Sequence, residues 1–426
     1  MLKLAIIGAG STYTPELMEG IINRKDIMPV RQIVLMDIDT NKLNIVGNLI
    51  KRMVSHANMP CEVILSEDYD TALKDSNFVF VQMRIGKLPA RVLDEKIPLK
   101  YDLIGQETTG IGGFFKALRT IPVLMDITRR MEKLCPDAWM LNFTNPAGIC
   151  AQALLDHTNV KMIGLCNAPI RIIGKPVEAF TDGNAEVDYL GLNHLSFLTS
   201  IRIEGRDVLQ EAIKGNDELL KKLDGVTEFE TDVIRKVGGV PSYYMQYFMH
   251  ERKSLKKLKT AEKSRGEECM EIEEELLKMY QSETLNVKPE ALSKRGGAMY
   301  SEAACSLAES IYTDDNKIHV VNAYNDGAIS FMADKDVVET RAHVGKNGVK
   351  MISPKALGNE YVKGIMQTIK AYERLTVTAA ISGDRHAAIT ALMANPLISD
   401  YDTAVACFNE MLEAHKVYLP QFFIKS

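Results

Sequence analysis

The sequence lacks the features that mark disulfide-rich, zinc-binding and membrane proteins. Its cysteines number seven and are scattered, without the short paired spacings of a disulfide framework or a zinc cage. The apolar run at residues 2–8 is far too short to span a membrane, and no small-residue cleavage site follows it. These absences predict a cytoplasmic protein that works in a reducing compartment. The cysteines lie at residues 61, 135, 150, 166, 269, 305 and 407.

An excess of charge of either sign is also missing. The 51 Lys and Arg residues nearly balance the 56 Asp and Glu residues, which gives a net charge of −5. There is therefore no general electrostatic reason to bind nucleic acid or an anionic membrane, and we expect neither as a partner. The length of 426 residues is enough for two substantial domains whose cores need no covalent crosslinks.

Strand and helix patterns alternate from the start of the chain to residue 165. The strand candidates are continuous apolar runs, which are typical of parallel strands buried on both faces. The pattern predicts an α/β fold with a Rossmann-type, doubly wound parallel sheet like that of lactate and malate dehydrogenases. The strand candidates are residues 2–8, 33–37, 62–65, 78–83, 139–143 and 161–165.

The pattern changes after Pro169, where a second domain is expected. Residues 187–205 predict two strands with a polar interruption, and residues 355–415 are again helical. The highly charged stretch at 250–283 is typical of a solvated surface helix. We therefore predict a nucleotide-binding domain over residues 1–168 and an α+β substrate and metal domain over residues 169–426, packed on each other.

A glycine-rich loop, GAGSTYTPEL at residues 8–17, follows the first strand and opens the first helix. Gly8 permits a tight turn, and Gly10 lets the backbone approach a pyrophosphate at the helix N-terminus; Ser11 lies beside them. Tyr13 occupies the place of the third glycine of the usual fingerprint. Asp37 ends the second strand, where its carboxylate is expected to accept hydrogen bonds from an adenosine ribose. The loop and Asp37 together predict NAD binding, and Asp37 disfavours NADP.

Cys166 follows the sixth strand candidate, at the edge where open α/β sheets bind ligands. Taken alone, a cysteine there is more often a small core residue, and His194 is more often a histidine with structural partners. Their spacing of 28 residues proves no contact. A thiolate and an imidazole with open coordination positions nevertheless suit a divalent transition metal that also binds substrate oxygens.

Six motifs together resemble glycoside hydrolase family 4, the NAD- and manganese-dependent glycosidases. The Cys-Asn-x-Pro arrangement at residues 166–169 is similar to that of the 6-phospho-β-glucosidases, whereas the α-specific enzymes tend to have aspartate after the cysteine. The resemblance implies a phosphorylated disaccharide or β-glucoside as substrate, and a homodimer or homotetramer. The motifs are GAGSTYTPEL (8–17), GQETTGIGGF (105–114), LNFTNPAG (141–148), LCNAP (165–169), GLNHLSF (191–197) and KRGGAMYSEAAC (294–305).

The resemblance also implies a redox route to glycoside cleavage. NAD takes hydride from carbon 3 of the sugar, a base removes the proton on carbon 2, the aglycone leaves from carbon 1, water adds, and the hydride returns. Cys166 and His194 are the implied metal ligands. The implied base is Tyr244, chosen from the tyrosines at 243, 244 and 247 by the family's Pro-x-x-Tyr pattern. Glu107 is implied to raise that tyrosine's basicity, although a helix-capping acid is an equal alternative.

Substrate-binding residues are implied in the same way. Arg91 and Arg265 match family positions for the 6-phosphate, which suits guanidinium groups, and Asn145 matches one for sugar hydroxyls. Asn167 is expected to contact the substrate but cannot protonate the leaving group, so the leaving-group acid is unassigned. Two further arginines, Arg84 and Arg295, are reserve candidates for the phosphate.

Several positions depart from the family pattern, and other functions remain open. Ile111 replaces a usual proline, Gln246 a common arginine, and residues 322–336 a more familiar asparagine-rich loop. These departures bear on the exact substrate, so a 6-phospho-α-glucosidase or another glycosidase of the family is an alternative. An NAD-dependent 2-hydroxy-acid dehydrogenase, which needs a His-Asp pair and no metal, is a second. A non-catalytic NAD-binding regulator is a third.

Overall fold

The computed structural model describes residues 1–295, 300–398 and 400–423. Within these ranges a mixed sheet of 13 strands is the centre of the molecule. Of the motifs quoted above, the one at 294–305 is described only in part, because residues 296–299 lie outside these ranges.

The first half of the chain forms the parallel part of the sheet. Its strand order is β3-β2-β1-β4-β5-β6. The chain adds strands on one side of β1 as far as β3 and then, from β4, on the other side, as a doubly wound sheet requires. The strands are β1 (Leu2–Ile7), β2 (Val30–Met36), β3 (Glu62–Ser66), β4 (Phe78–Val81), β5 (Trp139–Asn142) and β6 (Lys161–Gly164). The helices are α1 (Thr14–Ile22), α2 (Thr40–His56), α3 (Tyr69–Leu73), α4 (Lys87–Lys96), α5 (Gly110–Leu134), α6 (Ala147–His157) and α7 (Ala168–Phe180).

Hydrophobic cores lie on both faces of this parallel sheet. Leu4 and Ile6 of β1 belong to one core together with α1 and α2, whereas Ala5 and Ile7 belong to the other together with α5 and α6. All four side chains are essentially inaccessible to solvent. This double burial is the physical reason for the continuous apolar runs in the sequence, and it confirms the predicted parallel strands.

The second half of the chain continues the same sheet with antiparallel strands. Strand β11 pairs with β6 through Asn322 and Gly164, so it covers what would otherwise be an open edge. The order from there is β6-β11-β12-β7-β8-β10. The strands are β7 (Glu186–Leu192), β8 (Leu195–Ile203), β9 (Arg206–Asp207), β10 (Val240–Pro241), β11 (Ile318–Tyr324), β12 (Val337–Gly345) and β13 (Gly348–Met351).

The predicted pair of strands within 187–205 corresponds to β7 and β8. The two halves share one sheet, so their contact is through backbone hydrogen bonds as well as packed side chains; we keep the boundary at 168 and 169 as a proposal. The remaining helices are α8 (Val208–Lys214), α9 (Asp217–Lys221), α10 (Thr231–Val237), α11 (Gln246–Met249), α12 (Glu251–Thr260), α13 (Arg265–Tyr280), α14 (Tyr300–Thr313), α15 (Glu360–Ser382), α16 (Arg385–Met393) and α17 (Tyr401–Ala414).

The charged stretch at 250–283 forms two helices, and its charged side chains are exposed or partly exposed, as predicted. Helix α12 buries a single residue, Ser254. Helix α13 begins at a capping box formed by Ser264 and Glu267, and its buried residues Gly266, Cys269, Leu276 and Tyr280 are uncharged. One face of α13 therefore packs into the molecule, which the charge pattern does not indicate.

Among the described residues, no helix combines enough length with enough apolarity to cross a bilayer.

A fully buried ion pair joins helix α5 to helix α4. Arg119 Nη1 donates to Asp94 Oδ1 over 2.9 Å, and both side chains are shielded completely from solvent. His415 Nε2 lies 3.0 Å from the same oxygen. Removal of one member leaves a buried charge without its partner, which is far more costly than loss of a surface pair.

We expect Asp94→Ala to lower the free energy of unfolding by about 3–5 kcal/mol, because Arg119 stays buried and uncompensated. Asp126→Ala is the matched control, since Asp126 pairs with Arg130 of the same helix at the surface, over 2.9 Å. That control should leave stability unchanged within error. Urea denaturation followed by circular dichroism measures both, and equal effects would contradict the assignment.

Candidate active site

Most of the predicted site residues lie at one edge of the sheet. The carboxyl ends of parallel strands meet at the same edge, where open α/β sheets bind their ligands. The residues that follow the strand ends there are Gly8 and Gly10 after β1, Asp37 after β2, Arg84 after β4, Asn145 after β5 and Cys166 after β6.

The two predicted glycines fit a backbone that must approach a ligand closely. Gly8 has φ +84°, and a Cβ atom there would lie 2.9 Å from Met83 Cα. A Cβ atom on Gly10 would lie 2.9 Å from Asp37 Oδ2. No side chain can replace hydrogen at either position without displacing its neighbours, so both glycines are required by the geometry of the loop.

Asp37 is oriented by the same loop. The Gly10 amide donates to Asp37 Oδ2 over 2.8 Å, and the Asp39 amide donates to Oδ1 over 2.9 Å. Ser11 closes the turn, since its amide donates to the Gly8 carbonyl over 3.1 Å. The donor set and the shape of this loop fit a dinucleotide, with the carboxylate placed where a ribose is bound in Rossmann folds.

The residue in place of the third glycine forms a wall of this cleft. Tyr13 is the N-cap residue of α1, and the Arg295 guanidinium lies 4.8 Å from the centre of its ring. Behind the loop, the Tyr280 hydroxyl of α13 donates to the Thr12 carbonyl over 2.8 Å. The glycine loop is therefore held by residues from the second half of the chain.

Cys166 and His194, the predicted metal ligands, are in contact. Cys166 Sγ lies 3.6 Å from His194 Nε2, and the two residues are 5% and 6% exposed. Bond lengths of about 2.3 Å to a thiolate and about 2.1 Å to an imidazole place two donor atoms about 3.1–3.6 Å apart around one ion. The separation observed here fits a shared divalent cation.

The protonation states agree with such a pair. Burial, followed by the charge of Lys116, lowers the pKa of His194 to about 3, so the imidazole is neutral and has a lone pair. Burial, together with the charge of Glu339, raises the pKa of the Cys166 thiol to about 12. A thiol in these surroundings ionises only when a cation coordinates its sulfur.

His194 lies in the two-residue turn between β7 and β8 and has φ +66°. Its Nδ1 atom is buried and has no hydrogen-bond partner among the described residues. The imidazole lines a cavity of about 30 Å³ together with Glu373 and Asn395, among others. A left-handed conformation in a non-glycine residue is unfavourable, so the surrounding contacts must hold it.

Tyr244 stacks on the imidazole of His194. The two ring centres are 3.8 Å apart with 17° between the planes, and Tyr243 packs on Tyr244 with ring centres 4.5 Å apart. Burial, followed by the neighbouring Tyr243 and Cys166, raises the pKa of Tyr244 well above its ordinary value of 10. Tyr244 therefore lies beside Cys166 and His194, the candidate metal pair, and its hydroxyl needs nearby positive charge to lose its proton.

Glu107 is surrounded by three cations. Arg91 Nη1 lies 2.9 Å from its Oε1 atom, and Lys116 Nζ lies 2.7 Å from Oε2, to which Arg84 also donates. Burial opposes ionisation, yet the charges of Arg84, Lys116 and Arg91 hold the pKa of Glu107 well below its usual range. Burial and Arg84 lower the pKa of Lys116 to about 8, against the effect of Glu107.

The predicted phosphate ligands Arg91 and Arg265 both pair with carboxylates. Arg91 pairs with Glu95 over 2.7 Å as well as with Glu107, and 11% of its side chain is exposed. Arg265 is more exposed; it pairs with Glu268 over 2.8 Å and donates to the Arg295 carbonyl over 3.1 Å. Their roles stay predictions.

The two predicted asparagines lie close to the strand ends. Asn145 Oδ1 accepts the Ala147 amide over 3.3 Å, beside a cis peptide bond to Pro146. Asn167 is the N-cap residue of α7, and its backbone amide donates to the Cys166 sulfur. Both asparagines are thus at the edge that carries the metal pair.

The structure brings Cys166, His194 and Tyr244 into direct contact, and places Glu107 and Arg91 in one ionic cluster. The sequence interpretation missed Lys116, which interrupts an apolar helix as GGFFKAL at residues 112–118. A lone cation in an apolar stretch is the signal that could have found it. It also missed Asn193, whose position next to a candidate metal ligand was the only available signal.

Comparisons with known proteins cover nearly all of this chain. Two models match, one described as family 4 glycosyl hydrolase over residues 3–179 and one as family 4 glycosyl hydrolase C-terminal domain over residues 189–398. A probable 6-phospho-beta-glucosidase of Bacillus subtilis strain 168 is 44% identical over 100% of this chain and 98% of its own length. A 6-phospho-beta-glucosidase of Escherichia coli K12 is 37% identical over 99% of this chain and 97% of its own.

Solved structures of known proteins also resemble this chain. The 6-phospho-beta-glucosidase of Thermotoga maritima, in a form with manganese, NAD+ and glucose-6-phosphate, has a TM-score of 0.90 at 36% identity, covering 98% of this chain and 99% of its own. A lactate dehydrogenase of Cryptosporidium parvum has a TM-score of 0.56 at 15% identity, covering 89% of this chain and 98% of its own. That second likeness concerns the fold alone and confirms the predicted Rossmann-type architecture. With both family models matched in order over most of its length, this chain belongs to glycosyl hydrolase family 4.

Proposed function

We propose that this protein hydrolyses 6-phospho-β-glucosides to glucose 6-phosphate and an aglycone or sugar, with NAD and a divalent cation such as Mn²⁺ as cofactors. The observation that carries the proposal is the contact between Cys166 Sγ and His194 Nε2, 3.6 Å apart, beside a stacked tyrosine. This pair lies at the same sheet edge as a glycine loop shaped for a dinucleotide.

The relatives support the same substrate class. Two proteins match this chain from end to end: a probable 6-phospho-beta-glucosidase at 44% identity and a 6-phospho-beta-glucosidase at 37%. The Thermotoga maritima relative has been solved with manganese, NAD+ and glucose-6-phosphate bound together. We carry these cofactors and the phosphorylated sugar over to this chain.

Separate sets of residues bind the cation and the dinucleotide. Cys166 and His194 would hold the cation, while Gly8, Gly10 and Ser11 present the loop to the dinucleotide and Asp37 accepts from its ribose. When bound, NAD would accept hydride from carbon 3 and the cation would supply positive charge that acidifies the sugar and favours the Tyr244 phenolate.

Tyr244 is the residue that removes the proton from carbon 2. Its stacking on His194 fixes the ring, so the hydroxyl has few orientations to lose when the substrate binds. The charge of Glu107 is one cause of the raised pKa of Tyr244, so it makes the phenolate a stronger base once formed but also harder to form. Lys116, Arg84 and Arg91 moderate that charge, since all three pair with Glu107.

Arg91 and Arg265 are the proposed ligands of the 6-phosphate, with Asn145 and Asn167 on the sugar. Arg265 is the more accessible of the two arginines, because about 44% of its side chain is exposed. A phosphate that enters beside it can take up guanidinium donors now shared with Glu268 and with backbone carbonyls.

The alternatives find less support. A 2-hydroxy-acid dehydrogenase needs an aspartate on the catalytic histidine, whereas His194 Nε2 faces a sulfur and Nδ1 has no carboxylate partner among the described residues. An α-specific enzyme is disfavoured by Asn167 in place of aspartate. A regulator without activity would not require a tyrosine stacked on one of two candidate metal ligands.

We also place the protein in the cytoplasm, where its seven cysteines, all free, would stay reduced. A homodimer or homotetramer stays the proposed assembly.

We expect purified protein to release nitrophenol from p-nitrophenyl 6-phospho-β-glucoside only when NAD and Mn²⁺ are both present. The unphosphorylated parent and the α anomer are the matched control substrates, and both should react poorly. Absorbance at saturating substrate measures the rate. Full activity after treatment with a chelator would contradict the metal role, and no release under any condition would favour the regulator.

The base is tested by Tyr244→Phe against Tyr243→Phe, which removes a hydroxyl from the adjacent stacked ring. We expect Tyr244→Phe to slow exchange of the carbon 2 proton with deuterium oxide by at least about 100-fold, because it removes a general base. Tyr243→Phe should retain most of the exchange. Proton NMR measures both, and full exchange in Tyr244→Phe would assign the base to another group.

The pKa of Lys116, about 8, predicts a pH limb. Lys116 is protonated below that pH; above it, Glu107 keeps a less compensated charge, which disfavours the phenolate of Tyr244. We therefore expect kcat/KM to fall as pH rises through about 8, and Lys116→Arg to lose this limb because arginine stays protonated. An unchanged limb in Lys116→Arg would contradict the assignment.

A further inference from the structure

A buried carboxylate lies behind the metal pair, on the central strand β12. Glu339 is 1% exposed. The Tyr189 hydroxyl donates to its Oε1 atom over 2.8 Å, and the side-chain amides of Asn193 and Asn322 donate to Oε2, each over 3.0 Å. Burial raises the pKa of Glu339, whereas these three hydrogen bonds favour the ionised carboxylate.

All of these donors are neutral. Among the described residues no lysine, arginine or histidine forms an ion pair with Glu339, and the charged group that most affects it is another carboxylate, Glu373. A buried charge without a cation is costly, so the site is electrostatically incomplete as a set of protein groups alone.

Glu339 is connected to both metal ligands through Asn193. The Asn193 Oδ1 atom accepts the Ala147 amide over 3.2 Å, which fixes the Nδ2 atom toward Glu339. The Asn193 side chain also hydrogen-bonds to the Cys166 sulfur. Asn193 and His194 are the two residues of the β7–β8 turn, and His194 has the left-handed conformation in it.

We propose that Glu339 is a positioning residue for the metal centre: it holds Asn193, and thereby the turn that aims His194 at Cys166, and it supplies negative charge opposite the cation. This inference rests on the proposed function, which supplies the cation. Residues behind metal ligands commonly orient them in this way. The thiolate and Glu339 together offset the two positive charges of a divalent ion.

The test is Glu339→Gln, which keeps the shape of the side chain and removes its charge. We expect the Kd for Mn²⁺ to rise about 10–100-fold, while the Kd for NAD stays within about twofold. Electron paramagnetic resonance of free Mn²⁺, titrated into the NAD-saturated protein, measures the first, and isothermal titration calorimetry with NAD measures the second.

The matched control is Asp188→Asn, because Asp188 is a buried carboxylate on the β7–β8 hairpin that carries Asn193 and His194. Asp188 accepts from Arg202 over 2.8 Å and from the Lys355 amide over 3.1 Å, away from the metal pair. Its loss should lower stability without a change in the Kd for Mn²⁺. An equal rise in this control would show a general effect of disrupting the hairpin and would overturn the proposal.

Asn193→Ala tests whether Asn193 connects Glu339 to the metal ligands. It also replaces Glu339→Gln as the test if that variant does not fold. It should weaken Mn²⁺ binding to a similar degree, and the double variant should show less than the sum of the two effects, because both act through one contact. Full additivity would overturn the proposal, as would a Kd for Mn²⁺ within twofold of wild type in Glu339→Gln. If the wild-type protein itself binds no Mn²⁺, the proposed function fails as well.

Discussion

The proposed function depends most on the burial of a thiol and an imidazole against each other at the carboxyl edge of the sheet. Burial raises the pKa of Cys166 and lowers that of His194, so both groups are neutral in the protein alone. The neutral imidazole keeps a lone pair for coordination. A divalent cation bound between the two, as proposed, would stabilise the thiolate against the cost of burial.

The continuous sheet explains how residues from two halves of the chain meet. Cys166 follows β6, the last parallel strand, and His194 lies in a hairpin that reaches β6 through β12 and β11. Backbone hydrogen bonds link all of these strands, so the segment after β6 and the turn between β7 and β8 are held by one continuous sheet rather than by two domains that dock. A rigid frame of this kind suits a site in which small displacements are costly.

Much of this arrangement follows from sequence patterns. Continuous apolar runs give the parallel strands, and Asp37 is found by its place at the end of the second one. The motifs give Cys166, His194 and Tyr244. The rest depends on long-range pairing that no local pattern encodes: Asn322 pairs with Gly164 across more than a third of the chain, and Glu339 meets Asn193 only because β12 lies beside β7.

The buried face of helix α13 is likewise hard to find from the sequence, because its few buried residues lie among many charged ones. Its Tyr280 hydroxyl reaches the Thr12 carbonyl in the loop that would cradle the dinucleotide. Residues of the second half of the chain therefore also stabilise the glycine loop. A chimera that combines the first half of this chain with the second half of another family member would therefore need a tyrosine at the position of Tyr280. Without it, the glycine loop would lose the hydrogen bond that holds it from behind.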